Sequence, residues 1–118
     1  MNAYAIPGYD RTATAIDLIR HIVATETGLA LRYTGRQDQN CKPRQIAMWL
    51  MRKHTTASYR AIATKFGKKQ PATVIHACKA VTNMIETKDR DYYELIRHLD
   101  NKVTLAKRTK MQTLNLNV

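Results

Sequence analysis

The chain has 118 residues, a length that suits one small domain and excludes a large two-lobed enzyme. Hydrophobic residues make up 44% of it, enough for a core and too many for a disordered chain. The net charge is +11, and residues 28–79 hold eleven lysines and arginines against one acid, Asp38. A segment of one charge sign indicates a polyanionic partner, because cations near phosphates release condensed counterions. A solubilising surface is the alternative.

The first half of the chain predicts an arm and two helices. Residues 1–11 form the arm. A helix then covers 12–27, capped by Thr12 or Thr14 and ended by Gly28. The side chains that line one side of this helix at helical spacing are Ile16, Ile19, Ile22 and Val23.

Residues 32–42 are polar and basic, and they predict a loop. Pro43 suits the first turn of the next helix, which covers 43–54. The side chains of that helix expected in the core are Ile46, Ala47, Trp49 and Leu50.

Residues 58–87 carry the pattern of a helix-turn-helix. Ser58 is a good N-cap for a short helix, and Gly67 lies where this motif needs a sharp turn. The second helix begins around Gln70 or Pro71. The expected core residues are Tyr59, Ile62, Ala63 and Phe66 in the first helix and Val74, Cys78, Val81 and Ile85 in the second, with Ile75 and Met84 beside them.

A last helix is predicted after Asp89, which caps it. Its apolar residues are Tyr92, Leu95, Ile96 and Leu99. Residues 101–118 either extend this helix or form a basic tail that adds non-specific affinity for an anion. The overall prediction is an all-α domain over 12–100 with about five helices and a central helix-turn-helix.

Candidate base-contacting residues lie at the start of the second motif helix, because such helices contact bases through their N-terminal residues. Gln70 can pair bidentately with adenine, and Thr73 can contact a base edge or a phosphate. Ala72 can pack against a thymine methyl, whereas Pro71 has no N–H to offer. The alternative roles are helix capping for Gln70 and helix initiation or spacing for Pro71 and Ala72.

Basic residues flank the starts of two helices, where helix N-termini already favour anions. They are Lys68 and Lys69 in the turn and Lys42 and Arg44 before and within the preceding helix. Arg60, His76 and Lys79 are further candidates for phosphate contacts, and the basic loop can lie along a minor groove. Ordinary surface positions are the alternative for the lysines and arginines, and for His76 the alternative is a side chain satisfied by its neighbours.

Catalysis and metal binding are not expected. The acids Asp89, Asp91 and Glu94 lie at a helix start, where capping explains them, and no nucleophile or base accompanies them. Neither Cys41 nor Cys78 has metal-ligand spacing, Cys78 is expected to be a buried thiol, and a disulfide between the two is disfavoured. The chain start lacks the regions of a signal peptide, and no apolar run suits a membrane span. We therefore expect a cytoplasmic protein without cofactor or membrane contact.

Four segments identify a family resemblance: Pro43-Arg44-Gln45-Ile46-Ala47-Met48, Ser58, Phe66-Gly67 and Thr73-Val74-Ile75-His76-Ala77-Cys78. In this order and spacing they resemble the C-terminal DNA-binding domain of the bacterial chromosomal replication initiator DnaA. The similarity covers residues 12–100, and the chain has no Walker-type nucleotide-binding loop. It implies a Trp-repressor-like helical fold that binds double-stranded DNA and no nucleotide.

The resemblance also implies roles for single residues. In the family, an Asp-His-Thr-Thr run at the start of the recognition helix faces bases and phosphates. Its positions are occupied here by Gln70, Pro71, Ala72 and Thr73, of which only Thr73 is kept. The family's minor-groove arginine is replaced by Lys42, which keeps the charge without the planar fork. Phosphate contacts are implied for Arg44, Gln45 and Ser58.

We therefore predict a sequence-specific binder of double-stranded DNA in replication initiation or its control. Such a chain would mark sites, recruit a replication protein or compete with a full-length initiator. The alternatives are a transcription regulator with the same fold and a helical adaptor for an acidic protein.

Overall fold

The computed structural model describes residues 11–28 and 41–116. Within those ranges the chain forms no strand and five helices: α1 (Arg11–Thr27), α2 (Cys41–His54), α3 (Tyr59–Lys65), α4 (Ala72–Glu86) and α5 (Tyr93–Leu116). This arrangement confirms the all-α prediction with α3 and α4 as a central helix-turn-helix. The predicted arm, apart from Arg11, and the predicted loop, apart from Cys41 and Lys42, lie outside the described residues.

Helix α1 lies against the core through one apolar stripe. Ile16, Ile19 and Val23 of the predicted stripe are buried. The helix begins at Arg11, so the predicted caps Thr12 and Thr14 lie inside its first turn, where backbone N–H groups have no partner in the helix anyway. Gly28 follows the last helical residue with φ +71°, the left-handed conformation predicted for a glycine that ends a helix.

Helix α2 begins two residues earlier than predicted, so Cys41 and Lys42 are helical and do not belong to the loop. Pro43 lies in the first turn, as predicted, because no helical hydrogen bond needs its missing N–H there. The predicted Ile46, Ala47 and Leu50 are buried, together with Met48 and Met51. Trp49 is only half-buried, which corrects its assignment to the core. It lies on the flank of the buried arc, with the Lys53 Nζ 5.1 Å from its ring centroid.

Helices α2, α3 and α4 pack against one another and form the centre of the core. Phe66 is buried at the end of α3, as predicted. In α4 the buried stripe is Val74, Ala77, Val81 and Met84, so Cys78 and Ile85 are half-buried instead of central. The predicted and observed stripes share Val74 and Val81. A 3.6-residue period alone does not determine whether Ala77 and Met84 or Cys78 and Ile85 complete the buried stripe. The packing of α2 against α4 makes that choice.

Helix α5 covers the other side of the core, in contact with α1, α2 and α4. The Asp89 Oδ1 accepts hydrogen bonds from the backbone N–H groups of Asp91 (2.9 Å) and Tyr92 (3.0 Å), one turn ahead of the helix. Ile96, Leu99 and Val103 are buried. The helix continues to Leu116. None of the helices in the described ranges is long and apolar enough to cross a membrane.

Candidate nucleic-acid interface

The turn between α3 and α4 is a Schellman motif. The Lys68 N–H donates to the Ala63 carbonyl at 2.9 Å, and the Gly67 N–H donates to the Thr64 carbonyl at 3.0 Å. Gly67 has φ +71°, which glycine adopts without the steric cost that other residues meet. The chain therefore reverses sharply at the predicted residue, and residues 68–71 connect the turn to α4.

Two residues of α1, Arg20 and Asp17, hold the end of α3. The Arg20 Nη1 donates to the Lys65 carbonyl at 3.2 Å, and the Arg20 guanidinium lies 5.6 Å from the centroid of the Phe66 ring. The Lys65 Nζ forms an ion pair with Asp17 at 3.3 Å. Arg20 is thus a positioning residue for the helix-turn-helix, which the sequence pattern of α3 and α4 did not reveal.

The N-terminus of α4 is built around a proline. Pro71 is the N-cap, with φ −62° and ψ −22°, and Ala72 is the first helical residue. The Pro71 carbonyl accepts from the Val74 N–H at 3.0 Å, and the Gln70 carbonyl accepts from the Thr73 N–H at 3.2 Å. The cap makes no side-chain hydrogen bond. The alternative role of Gln70 as the cap is therefore wrong, since Pro71 occupies that position and is half-buried there.

One face of α4 and the turn before it carry the exposed candidates. Gln70 and Ala72 are exposed, whereas Thr73 is half-buried. His76 and Lys79 are exposed one and two turns further along, opposite the buried stripe of the helix. A partner that meets the N-terminus of α4 therefore reaches Gln70 and Ala72 first.

The start of α3 lies beside the same face. The Ser58 Oγ accepts from the Ala61 N–H at 3.1 Å, which confirms the predicted N-cap, and Arg60 is exposed. Tyr59 and Lys79 line one open groove of about 410 Å³ between α3 and α4. The structure thus brings Lys79 next to the start of α3.

The first turn of α2 carries three more candidates. Lys42, Arg44 and Gln45 are half-buried. The Lys42 Nζ lies 5.9 Å from the centroid of the Tyr92 ring, and a ring face holds a cation without neutralising its charge. The buried Gln45 Oε1 accepts no hydrogen bond from the described residues. Through the contact of Lys42 with Tyr92, the start of α2 lies next to the residue that precedes α5.

The structure adds Arg52 to the candidate residues. Its guanidinium lies 4.3 Å from the centroid of the Tyr59 ring, and its Nη1 donates to the Ala57 carbonyl at 2.9 Å. Burial raises the pKa of the nearby Cys78 thiol, and the charge of Arg52 acts in the opposite direction. No motif marked Arg52 in the sequence. Its membership of the basic segment, six residues before Ser58, was the only signal.

The described residues contain no group of three or more His, Cys, Asp or Glu that could hold a metal ion. What they present instead is a short helix, a sharp turn and a second helix with an exposed, basic N-terminal side. Residues 16–81 match the family described as the bacterial DnaA protein helix-turn-helix. The chain belongs to this family. The matched residues run from α1 into α4 and confirm the family resemblance noted in the sequence.

Curated relatives carry the name chromosomal replication initiator protein DnaA. The protein of Gloeothece citriformis is 31% identical over 110 residues, which are 91% of this chain and 24% of that protein. The protein of Flavobacterium psychrophilum is 31% identical over 94 residues, 77% of this chain and 20% of its own length. The chain thus spans about a quarter or less of the DnaA proteins that it matches. No solved structure matches it.

Proposed function

We propose that this chain binds double-stranded DNA in a sequence-specific manner through α3 and α4, and acts in replication initiation or its control. The observation that carries the proposal is the sharp turn at Gly67 within a DnaA helix-turn-helix, which leaves Gln70 and Ala72 exposed directly after Lys68 and Lys69. The names of the relatives, chromosomal replication initiators, support the biological role.

In this proposal the N-terminal end of α4 enters the major groove. Gln70 pairs with the N6 and N7 atoms of an adenine, and Ala72 packs against a thymine methyl. Thr73 contributes its hydroxyl to a base edge or a phosphate. Lys68 and Lys69 contact the phosphates that flank the groove and supply affinity that does not depend on sequence.

Two further groups of residues hold the DNA backbone. Ser58, Arg60, His76 and Lys79 contact phosphates around the start of α3 and the exposed face of α4, together with Arg52. Arg44 and Gln45 contact phosphates at the start of α2, and Lys42 approaches the minor groove with the basic loop that precedes it. These contacts fix the register of α4 in the groove, whereas the bases are recognised by Gln70 and its neighbours.

The departures from the family pattern concern the residues that face bases. We therefore propose a target site that differs from that of the relatives, and a role in marking sites, recruiting a replication protein or competing with a full-length initiator.

Selection of random-sequence duplex DNA at about 150 mM salt tests the proposal. We expect an enriched motif, and a Gln70→Ala variant that loses preference at one position of it, by about 1–3 kcal/mol. If the Gln70→Ala variant lost the same affinity for every DNA sequence, Gln70 would be assigned to phosphate binding instead of base recognition. Binding without a motif would leave a non-specific DNA binder. No binding at all would contradict the proposal and favour the helical adaptor for an acidic protein.

A further inference from the structure

Helix α5 continues well beyond Val103, which is its last buried residue among those whose side chains are described, up to residue 108. Val103 is fully buried, whereas Leu105, Lys107 and Arg108 are exposed. The backbone stays helical to Leu116, which makes about 20 Å of helix beyond Val103 at 1.5 Å per residue. We call residues 104–116 the α5 arm. The DnaA family match ends at residue 81, before this helix begins.

The α5 arm carries charge of one sign. It contains Lys107, Arg108 and Lys110 and no aspartate or glutamate. Within the arm, therefore, no i,i+4 ion pair can neutralise these cations or stabilise the helix. A helical segment of one charge sign attracts an anionic partner over roughly a Debye length, about 8 Å at physiological ionic strength.

Contacts at the base of the arm fix its position next to the end of α2. The Asp100 carboxylate accepts from the Lys53 Nζ at 2.7 Å and pairs with the His54 Nε2 at 2.6 Å. The Lys107 Nζ donates to the His54 carbonyl at 3.2 Å, so a cation of the arm caps the C-terminus of α2. The arm is therefore held at a defined place on the domain.

That place adjoins the helix-turn-helix. Ser58, the N-cap of α3, follows His54 by four residues, so their Cα atoms are at most about 15 Å apart. Arg52 in the last turn of α2 stacks on Tyr59, the first residue of α3. The basic arm thus emerges beside the edge where the proposed function puts phosphate contacts.

We propose that the α5 arm is a second DNA-contacting element, which binds phosphates beyond the stretch held by α3 and α4. This inference rests on the proposed function. Phosphates follow one another every 3.4 Å along a strand, so the arm can span about six of them. Its contacts lie outside the recognised bases, and they lengthen the bound DNA without changing the motif.

The test compares two variants that remove the same charge from α5. The arm variant carries Arg108→Ala and Lys110→Ala; Lys107 is kept because it caps α2. The control carries Arg97→Ala and Lys102→Ala, which pair with Glu94 and Glu26 instead. Affinity for the selected duplex, and for mixed-sequence duplex of the same length, is measured against salt, and circular dichroism verifies the fold.

We expect the arm variant to reduce the magnitude of the negative slope of log affinity against log salt by about two, roughly 0.9 for each lost phosphate contact. The control should keep the parent slope. An equal fall in both variants would indicate a general charge effect and overturn the inference, as would an unchanged slope in the arm variant. If the arm variant keeps the parent slope, a Lys68→Ala, Lys69→Ala variant whose affinity depends less on salt would leave the proposed function intact. A parent chain that binds neither duplex would overturn both.

Discussion

Exchange of glycine and alanine should have the same effect at two positions where helices end. Gly67 after α3 and Lys88 after α4 both occupy the left-handed position of a Schellman motif, with φ +71° and +50°. After α4, the Lys88 N–H donates to the Ile85 carbonyl at 3.2 Å and the Asp89 N–H donates to the Met84 carbonyl at 2.9 Å. The two turns therefore make the same demand on the backbone, and only the first is met by glycine.

The magnitude follows from two opposing effects. An L-residue in the left-handed region costs about 1–2 kcal/mol, whereas glycine loses about 0.4–1 kcal/mol more conformational entropy on folding. The net advantage of glycine over alanine is thus about 1 kcal/mol at each position. For a domain of this size that difference shifts the midpoint of thermal unfolding by roughly 3–6 °C.

Chemical and thermal unfolding followed by circular dichroism would measure this difference. Gly67→Ala should lower the free energy of unfolding by about 1 kcal/mol. The Lys88→Gly variant should have a free energy of unfolding higher than that of Lys88→Ala by a similar amount. The comparison at residue 88 uses alanine as the control because both variants remove the same lysine charge. Only Gly67→Ala should weaken DNA binding, since Gly67 alone directs the chain into the N-terminus of α4.

Lys88→Ala as stable as Lys88→Gly would refute this reasoning, because the left-handed backbone would then carry no measurable strain. So would Gly67→Ala with parental stability. Loss of DNA binding in Lys88→Gly would show that the α4–α5 turn takes part in the interface.

Three further outcomes are expected. Replacement of Lys68 and Lys69 by alanine should lower the affinity for all duplexes alike and reduce the magnitude of the slope of log affinity against log salt by about two. A loss of affinity confined to one DNA sequence in binding titrations would contradict their role in phosphate binding. Ser58→Ala should cost about 1 kcal/mol in urea unfolding and Ser58→Asp much less, because an aspartate also caps α3; equal losses would argue against the cap. Burial raises the pKa of Asp100, but the hydrogen bonds from Lys53 and His54 outweigh it and hold that pKa below its ordinary 3.8. The stabilisation of the fold by the ionised Asp100 carboxylate is therefore complete above the pKa of the unfolded state and lost as pH falls through the pKa of the folded state. Asp100→Asn should lower the free energy of unfolding by about 1 kcal/mol at neutral pH and leave it unchanged in strong acid. A cost that did not change with pH would contradict this.

Local signals sufficed where a residue's own chemistry set the backbone. Ser58 caps α3 through its own hydroxyl, Gly67 turns the chain because it alone tolerates a positive φ without strain, and Pro43 lies in a first helical turn. The cap, the turn and the helix start depend on residues within four positions along the chain, so they can be predicted from the sequence. Signals of the same kind were ambiguous at the start of α1, where several residues can precede a helix and the predicted threonine caps were wrong.

The candidate interface was predictable in outline and not in detail. The exposed Gln70 and Ala72 follow from the motif, but the use of Pro71 as the cap does not, because a half-buried proline depends on what packs around it. Arg52 was missed since only the fold places it against Tyr59.

The sequence by itself determined the helices, the sharp turn and the basic character of the middle segment, because each depends on local chemistry and composition. Only the tertiary structure decided which side of α4 is buried, that Trp49 lies at the flank of the core, and that α5 packs against the end of α2. Those features arise from contacts between residues far apart in the chain, such as Asp100 with His54, and a helical period of 3.6 residues leaves them open.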